Sequence, residues 1–203
     1  MADVAPDQPL KGREIVIGVC GGIACYKVAD LVSKLVQSGA GVTVAMTADA
    51  QKFVAPLTFQ ALTGRPVHTD IWSTHDSGDV QHIKLTESAD LMLVAPATAT
   101  TIARVAAGLC DDLVSLLIAA AACPVLFAPA MNDRMWANPI AKRNVQTLKD
   151  AGYTFVGPEE GWLACRNVGA GRMSQPADIL ASVADLLVAT GMTAPKSAPP
   201  PGR

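Results

Sequence analysis

Apolar residues fall along this chain in short runs broken by Gly and Pro, and between the runs they recur at helical spacing. The runs are EIVIGVC (14–20), GVTVAMT (41–47), ADLMLVAPA (89–97), CPVLFAP (123–129) and YTFVGP (153–158). Helix-period segments follow at 23–38, 49–63, 100–121, 137–151 and 176–189. Stretches that are apolar at successive positions, LMLVA and PVLFA among them, suit strands buried on both faces. The alternation therefore predicts an α/β domain, a parallel sheet with helices on both faces. Punctuation agrees: Gly39 follows KLVQS, Gly152 follows TLKDA, and Pro176 with Asp178 opens the last helix.

The ends lack this pattern. Residues 1–12 and 191–203 are rich in Pro and Ala without periodicity and are expected to be disordered tails, the second equally suited to a linker stub, leaving one domain at 13–190. The chain has 203 residues, half of them apolar and 17 % charged, with a net charge of −2. That suffices for one real core, and the mixed charges form no basic stripe for nucleic acid and no membrane anchor. MADVAPDQPLKGR has no apolar signal core, and Asp111, Asp112 and Pro124 keep the apolar stretch around Ala119–Ala122 too short to span a bilayer. The expectation is a cytoplasmic protein whose partner is a small molecule or another copy of itself. Five cysteines without a CxxC pair suggest neither a disulfide framework nor a zinc site.

In open parallel sheets ligands bind beyond the carboxyl ends of the strands, so chemistry is sought in the segments after each run. GVCGGIACYK (18–27) places Gly21 and Gly22 at a strand-to-helix turn. There, backbone N–H groups can approach an anion, although the spacing is neither a dinucleotide fingerprint nor a P-loop, and a plain tight turn explains it equally well. In MTADAQKF, Thr47 and Asp49 suit helix caps, or the receipt of a phosphate. APATATTIARVAAGLCDD offers Thr98, Ala99, Thr100 and Thr101 where one capping hydroxyl would suffice; small side chains there let a flat ring lie close to backbone. GDVQHIKLTESAD begins a short amphipathic stretch with His82, and His68 and His75 provide no ligand spacing with it. GWLACRNVGAGRMSQP, with three glycines in eleven residues, reads as a mobile flap carrying Cys165, Arg166, Asn167 and Arg172, and it makes Cys165 the candidate active thiol.

Three segments together resemble the FMN-dependent cysteine decarboxylase flavoprotein family. PATATT (96–101) is similar to that family's PASANT motif, PAMNDRMW (129–136) matches PxMNxxMW, and ACRNVGAGRM (164–173) is similar to the substrate-clamp motif ACGDxGxGRM. The order and spacing hold over roughly 13–188. The resemblance implies a single Rossmann-like, flavodoxin-type domain binding FMN, assembled as homotrimers with sites between subunits, sometimes grouped into dodecamers. By position, the flavin contacts would be Gly21, Gly22, Ile23, Thr47, Ala48, Asp49, Thr98, Ala99, Thr100, Thr101 and Ala130. His82, in a segment like the family's H-I-x-L, would be the general base. Asn132, with Met131 beside it, would bind the substrate, and Cys165 would donate a proton. Arg172 or Lys142 would supply a basic contact. Met131, Met135 and Trp136 would wall the pocket or pack a subunit contact. The implied reaction is decarboxylation of phosphopantothenoylcysteine to phosphopantetheine in coenzyme A synthesis, by flavin oxidation to a thioaldehyde, loss of CO₂ and re-reduction of the enethiol. A phosphopantothenoylcysteine synthetase domain or partner goes with that pathway.

Two positions depart from the pattern. Thr100 stands where PASANT has asparagine, and Arg166 replaces the glycine after the clamp cysteine. Alternatives within the resemblance are a peptidyl-cysteine decarboxylase of lantibiotic type, a non-catalytic regulatory flavoprotein and a flavin prenyltransferase. The clamp pattern favours the coenzyme A branch, and His82 and Cys165 argue for turnover.

Overall fold

A computed structural model describes residues 8–72 and 81–190, and of residues 81–84 the backbone alone. The apolar runs form strands β1 (Glu14–Val19), β2 (Gly41–Met46), β3 (Leu91–Ala97), β4 (Val125–Pro129) and β5 (Thr154–Phe155). They make one parallel sheet in the order β2-β1-β3-β4-β5. That is the flavodoxin-like order of doubly wound sheets. The ladder between β3 and β4 shifts register between Val94 and Ala97, around Pro96, which has no N–H to donate.

The two-period of the strands divides the core. Ile15, Ile17, Val19, Leu91, Leu93, Leu126 and Ala128 join one buried cluster with helices α1 (Cys25–Gln37), α2 (Pro56–Thr63) and α8 (Pro176–Ala189). Val16, Met92, Val94, Val125 and Phe127 join a second with α4 (Ala99–Ala106), α5 (Leu113–Ala120) and α7 (Pro139–Asp150). Burial on both faces is why these strands read as unbroken apolar runs rather than as alternation. Helix α3 (Gln81–Ser88) precedes β3, and α6 (Asp133–Ala137) follows β4. Among the described residues no helix is long and apolar enough to cross a membrane.

Four expectations need correction. The helix expected over 49–63 is a 3₁₀ turn, Ala50–Lys52, followed by α2, because Pro56 takes the N1 position of a new helix. The helix expected over 100–121 is two. Gly108 turns left-handed at φ 70°, and Asp112 then restarts the helix with a capping box, its Oδ1 accepting from the Ser115 N–H at 2.8 Å. Arg104 pairs with both Asp111 (3.0 Å) and Asp112 (3.1 Å) and fixes the break. Residues 8–12, expected within the tail, are ordered: Leu10 is buried in the first cluster, and its N–H donates to the Ser38 carbonyl closing α1. The segment expected as a flap is an antiparallel hairpin, β6 (Glu159–Trp162) and β7 (Val168–Arg172). The remaining tail residues, 1–7 and 191–203, lie outside the described residues.

Phe127 centres the second cluster, stacked on Phe155 (5.1 Å between centroids) and edge-on to Tyr153 (5.7 Å). Phe127→Ala is expected to lower unfolding stability by about 3–5 kcal/mol, read as a shifted urea midpoint at an unchanged slope.

Candidate active site

The loops leaving β1, β3 and β4 open on the same edge of the sheet, and with the hairpin β6–β7 they enclose a cavity of about 860 Å³. It lies where the strand order reverses, with β1 and β3 as neighbours. The first loop contributes Gly21, Gly22 and Ile23. Gly21 has to be glycine, since a Cβ there would collide with Asp49. Helix α1 starts at this loop without a side-chain cap: the Cys25 and Lys27 N–H groups donate to the Gly22 and Ala24 carbonyls, and no side chain caps the helix start.

The second loop contributes Thr98, Ala99 and Thr100. Thr98 caps α4, its hydroxyl accepting from the Thr101 N–H at 3.2 Å. Thr101 does not line the cavity: it is buried behind Thr98, its hydroxyl 3.1 Å from that of Thr98. Thr100 is exposed on the cavity wall. Behind this loop is Cys20, wholly buried; burial pushes its thiol up to about 12, although hydrogen bonds from the Thr101 side chain and the Thr98 backbone pull the other way. Cys20 is therefore a neutral packing group.

The residues after β2 stand one step back from the cavity. Thr47 is buried, and its hydroxyl accepts from the Ala50 N–H at 3.3 Å, as a cap would. Asp49 packs against Gly21 and pairs with Lys52 at 2.7 Å, a bond that holds its carboxyl below the ordinary range. Ala48 is exposed in the turn that follows β2 and does not line the cavity.

The third loop carries Ala130, Met131 and Asn132 onto the cavity. Asn132 caps α6, its Oδ1 accepting from the Arg134 N–H at 2.9 Å. That bond fixes the amide orientation and leaves the NH₂ as the donor on the other side, where it meets the Cys165 sulfur at 3.3 Å. Cys165 sits in the exposed turn between β6 and β7. The hairpin is tied down by the Met131 N–H, which donates to the Gly171 carbonyl at 2.9 Å. Gly171 has φ 141°, and a Cβ there would strike the Met131 carbonyl, so this junction requires glycine. In the same turn Arg166, at φ 66°, is left-handed where the family pattern has glycine. That backbone costs a residue with a Cβ about 1–2 kcal/mol, which explains the preference for glycine there. The hairpin tolerates Arg166 because the turn is closed on both sides of it, by Leu163 N–H to Asn167 O (2.8 Å) and Arg166 N–H to Leu163 O (2.9 Å).

Several cavity residues were not singled out from the sequence. Tyr26 and Lys27 enter from α1, Trp162 from β6 and Gln175 from the start of α8. Lys27 donates to the Met173 carbonyl at 3.5 Å; burial lowers its pKa first, repulsion from Arg172 adds to this, and Glu159 opposes it. Arg172 also lines the cavity, whereas Lys142 and Arg134 face a second one of about 420 Å³, beside α6. His82 is at the second position of α3, and its side chain lies outside the described residues. Cys110 is exposed as well, so Cys165 is not alone in being accessible; Cys20, Cys25 and Cys123 are buried.

A ligand cavity at the switch point of a parallel sheet in this order, edged by a glycine turn, small residues and hydroxyls, is the architecture of a nucleotide-cofactor protein. The chain belongs to the family described as Flavoprotein, whose model matches residues 3–188. Among its relatives is the coenzyme A biosynthesis bifunctional protein CoaBC of Bacillus subtilis, 47 % identical over 171 residues, which are 84 % of this chain and 42 % of that protein. The chain thus spans less than half the length of that relative. A solved PPC decarboxylase mutant complexed with pantothenoylaminoethenethiol superposes with a TM-score of 0.76 at 31 % identity, over 84 % of this chain and 96 % of that one. The FMN-dependent cysteine decarboxylase SpaF superposes at 0.75 with 29 % identity, over 88 % and 97 %.

Alkylation of the native protein is expected to modify two thiols, Cys110 and Cys165, and all five cysteines after denaturation. Peptide mapping that finds Cys20 modified under native conditions would contradict the packing behind Thr98.

Proposed function

We propose that this chain binds FMN in the 860 Å³ cavity and decarboxylates phosphopantothenoylcysteine to phosphopantetheine. The observation that carries the reading is the 3.3 Å contact between Asn132 and Cys165, residues 33 apart in sequence brought together on the wall of the cavity. A neutral amide donor beside a thiol suits a carboxylate that must leave as CO₂: it orients the carboxylate without a full positive charge to hold it back. The relatives named for coenzyme A biosynthesis and PPC decarboxylation support the same substrate.

The cavity fits the cofactor. Its volume is within the usual ligand range, and the uncapped start of α1 beside Gly21 and Gly22 suits a phosphate. Ala99 and Ala130 would leave room for a flat ring, and the Thr98 and Thr100 hydroxyls on the same wall would bond its polar edge. Bound there, FMN supplies a two-electron acceptor and donor that gives the carbanion electrons a sink and then restores the product's oxidation level. Thr47, Asp49 and Thr101 stand behind this site rather than lining it, and Ala48 is exposed in the turn beside them.

In this reading His82 takes the substrate thiol proton, a role suited to imidazole near neutral pH. Asn132 holds the carboxylate over the cavity, with Met131 beside it. Cys165 delivers the proton to carbon when the enethiol is reduced. The hairpin keeps water from the site while these steps proceed. The apolar residues exposed around the rim, Ile23, Tyr26, Met135 and Trp162, support assembly with further copies of the chain, which would complete the site. The bifunctional relatives support a synthetase domain or partner as the source of substrate.

The test is an assay of FMN-loaded protein with phosphopantothenoylcysteine and with a peptide ending in cysteine, watched for CO₂ and product mass. CO₂ and phosphopantetheine are expected from the first and nothing from the second. Release from the peptide alone would assign the chain to peptide substrates. His82→Asn should keep flavin and lose about 10²–10⁴-fold in turnover. Cys165→Ser should still release CO₂ but accumulate a product lacking a pair of hydrogens; normal phosphopantetheine from this variant would remove Cys165 from the reaction.

A further inference from the structure

Two cations share the cavity wall with one carboxylate. Lys27 projects from the first turn of α1, half-buried, and Arg172 ends β7, also half-buried. They are close enough for each other's charge to be felt: Arg172 works against the Lys27 ammonium, as burial does, and Glu159 works for it. Glu159 is already committed, its Oε1 accepting from the Gln175 N–H at 3.2 Å. Arg172 is held from the other side by the Gln175 side-chain oxygen, in the amide orientation that satisfies both. What Lys27 receives in return is a single carbonyl, that of Met173, at 3.5 Å, the outer limit of a hydrogen bond. An ammonium that is half-buried, beside a guanidinium and weakly bonded is poorly compensated. The cluster is left one positive charge in excess on the wall of a ligand cavity.

We propose that Lys27 and Arg172 form the seat of the substrate's phosphomonoester and make the chain prefer phosphorylated over unphosphorylated substrate. A phosphate monoester carries about −1.5 to −2 at neutral pH and has three acceptor oxygens, which matches one guanidinium fork plus one ammonium. Lys142 is excluded from this role, since it faces the second cavity. The cofactor's phosphate has its own place at the Gly21–Gly22 turn and the uncapped start of α1. Of the pair, Arg172 stands at the base of the hairpin that carries Cys165, and Lys27 reaches it from the first turn of α1, donating to the Met173 carbonyl next to Arg172. The inference rests on the function proposed above and adds to it the residues that choose the substrate.

The experiment compares wild type, Lys27→Met and Lys27→Arg, each loaded with FMN. It reads kcat/KM on phosphopantothenoylcysteine and on pantothenoylcysteine, and calorimetric affinity for phosphopantetheine and pantetheine. The preference for the phosphorylated compound, in both readouts, should fall about 10- to 100-fold in Lys27→Met and be mostly retained in Lys27→Arg. An unchanged ratio in Lys27→Met, or a wild type with no preference, overturns the seat. A loss of FMN affinity with the ratio intact assigns Lys27 to the cofactor's phosphate and overturns it as well. Should wild type turn over neither compound yet bind phosphopantetheine more tightly than pantetheine through Lys27, the seat stands and the proposed reaction falls.

Discussion

Strand β1 lies between β2 and β3, and everything about the site follows from that placement. The chain leaves β1 into α1, on the face of the first core cluster, and leaves β3 into α4, on the face of the second. The two loops must part, and they leave a crevice at the carboxyl edge of the sheet. Gly21 and Gly22 edge it on one side, Thr98 to Thr100 on the other, and β4 delivers Ala130 to Asn132 next to them. The two-faced burial that stabilises the sheet is thus also what aims three loops at one point.

The crevice becomes a site through a second, smaller constraint. A hairpin of mostly polar and glycine residues cannot hold itself against the domain by apolar burial, and β6–β7 is fixed instead by backbone: the Met131 N–H to Gly171 carbonyl bond, with Gly169 closely packed on Asp133. Leu163 and Met173, buried at its turn and its exit, add two apolar anchors. This is how Cys165 comes within reach of Asn132, and how Arg172 comes to stand beside Lys27. The left-handed Arg166 belongs to the same logic, since the turn that presents Cys165 needs that backbone whichever residue occupies it.

Much of this was legible in the sequence, and the failures have physical causes. Apolar runs located five strands because burial on both faces leaves an unambiguous signature. The break in the 100–121 segment was also written there, as Gly108 and the Asp112 cap, but continuous apolar periodicity across it concealed two helices as one. The hairpin was hidden because EEGW and VGAGR lack the alternation of a half-buried strand and pair through backbone against the domain. At the site, Thr98 and Cys165 stood out by residue type and position, the role of Asn132 came from the resemblance, and the fold places all three on one cavity. Lys27 was missed because a lone helical lysine usually marks a solvated face; what sets it apart is its packing against Met173 and Arg172, nearly 150 residues away in sequence.

The central claim is that this crevice holds a flavin mononucleotide, and a titration of flavin-free protein with FMN tests it most directly. The account predicts saturable binding at one FMN per chain, with a shift of the visible flavin spectrum, and markedly weaker binding of riboflavin, which lacks the phosphate offered to the start of α1. No saturable binding, or equal affinity for riboflavin and FMN, would contradict it.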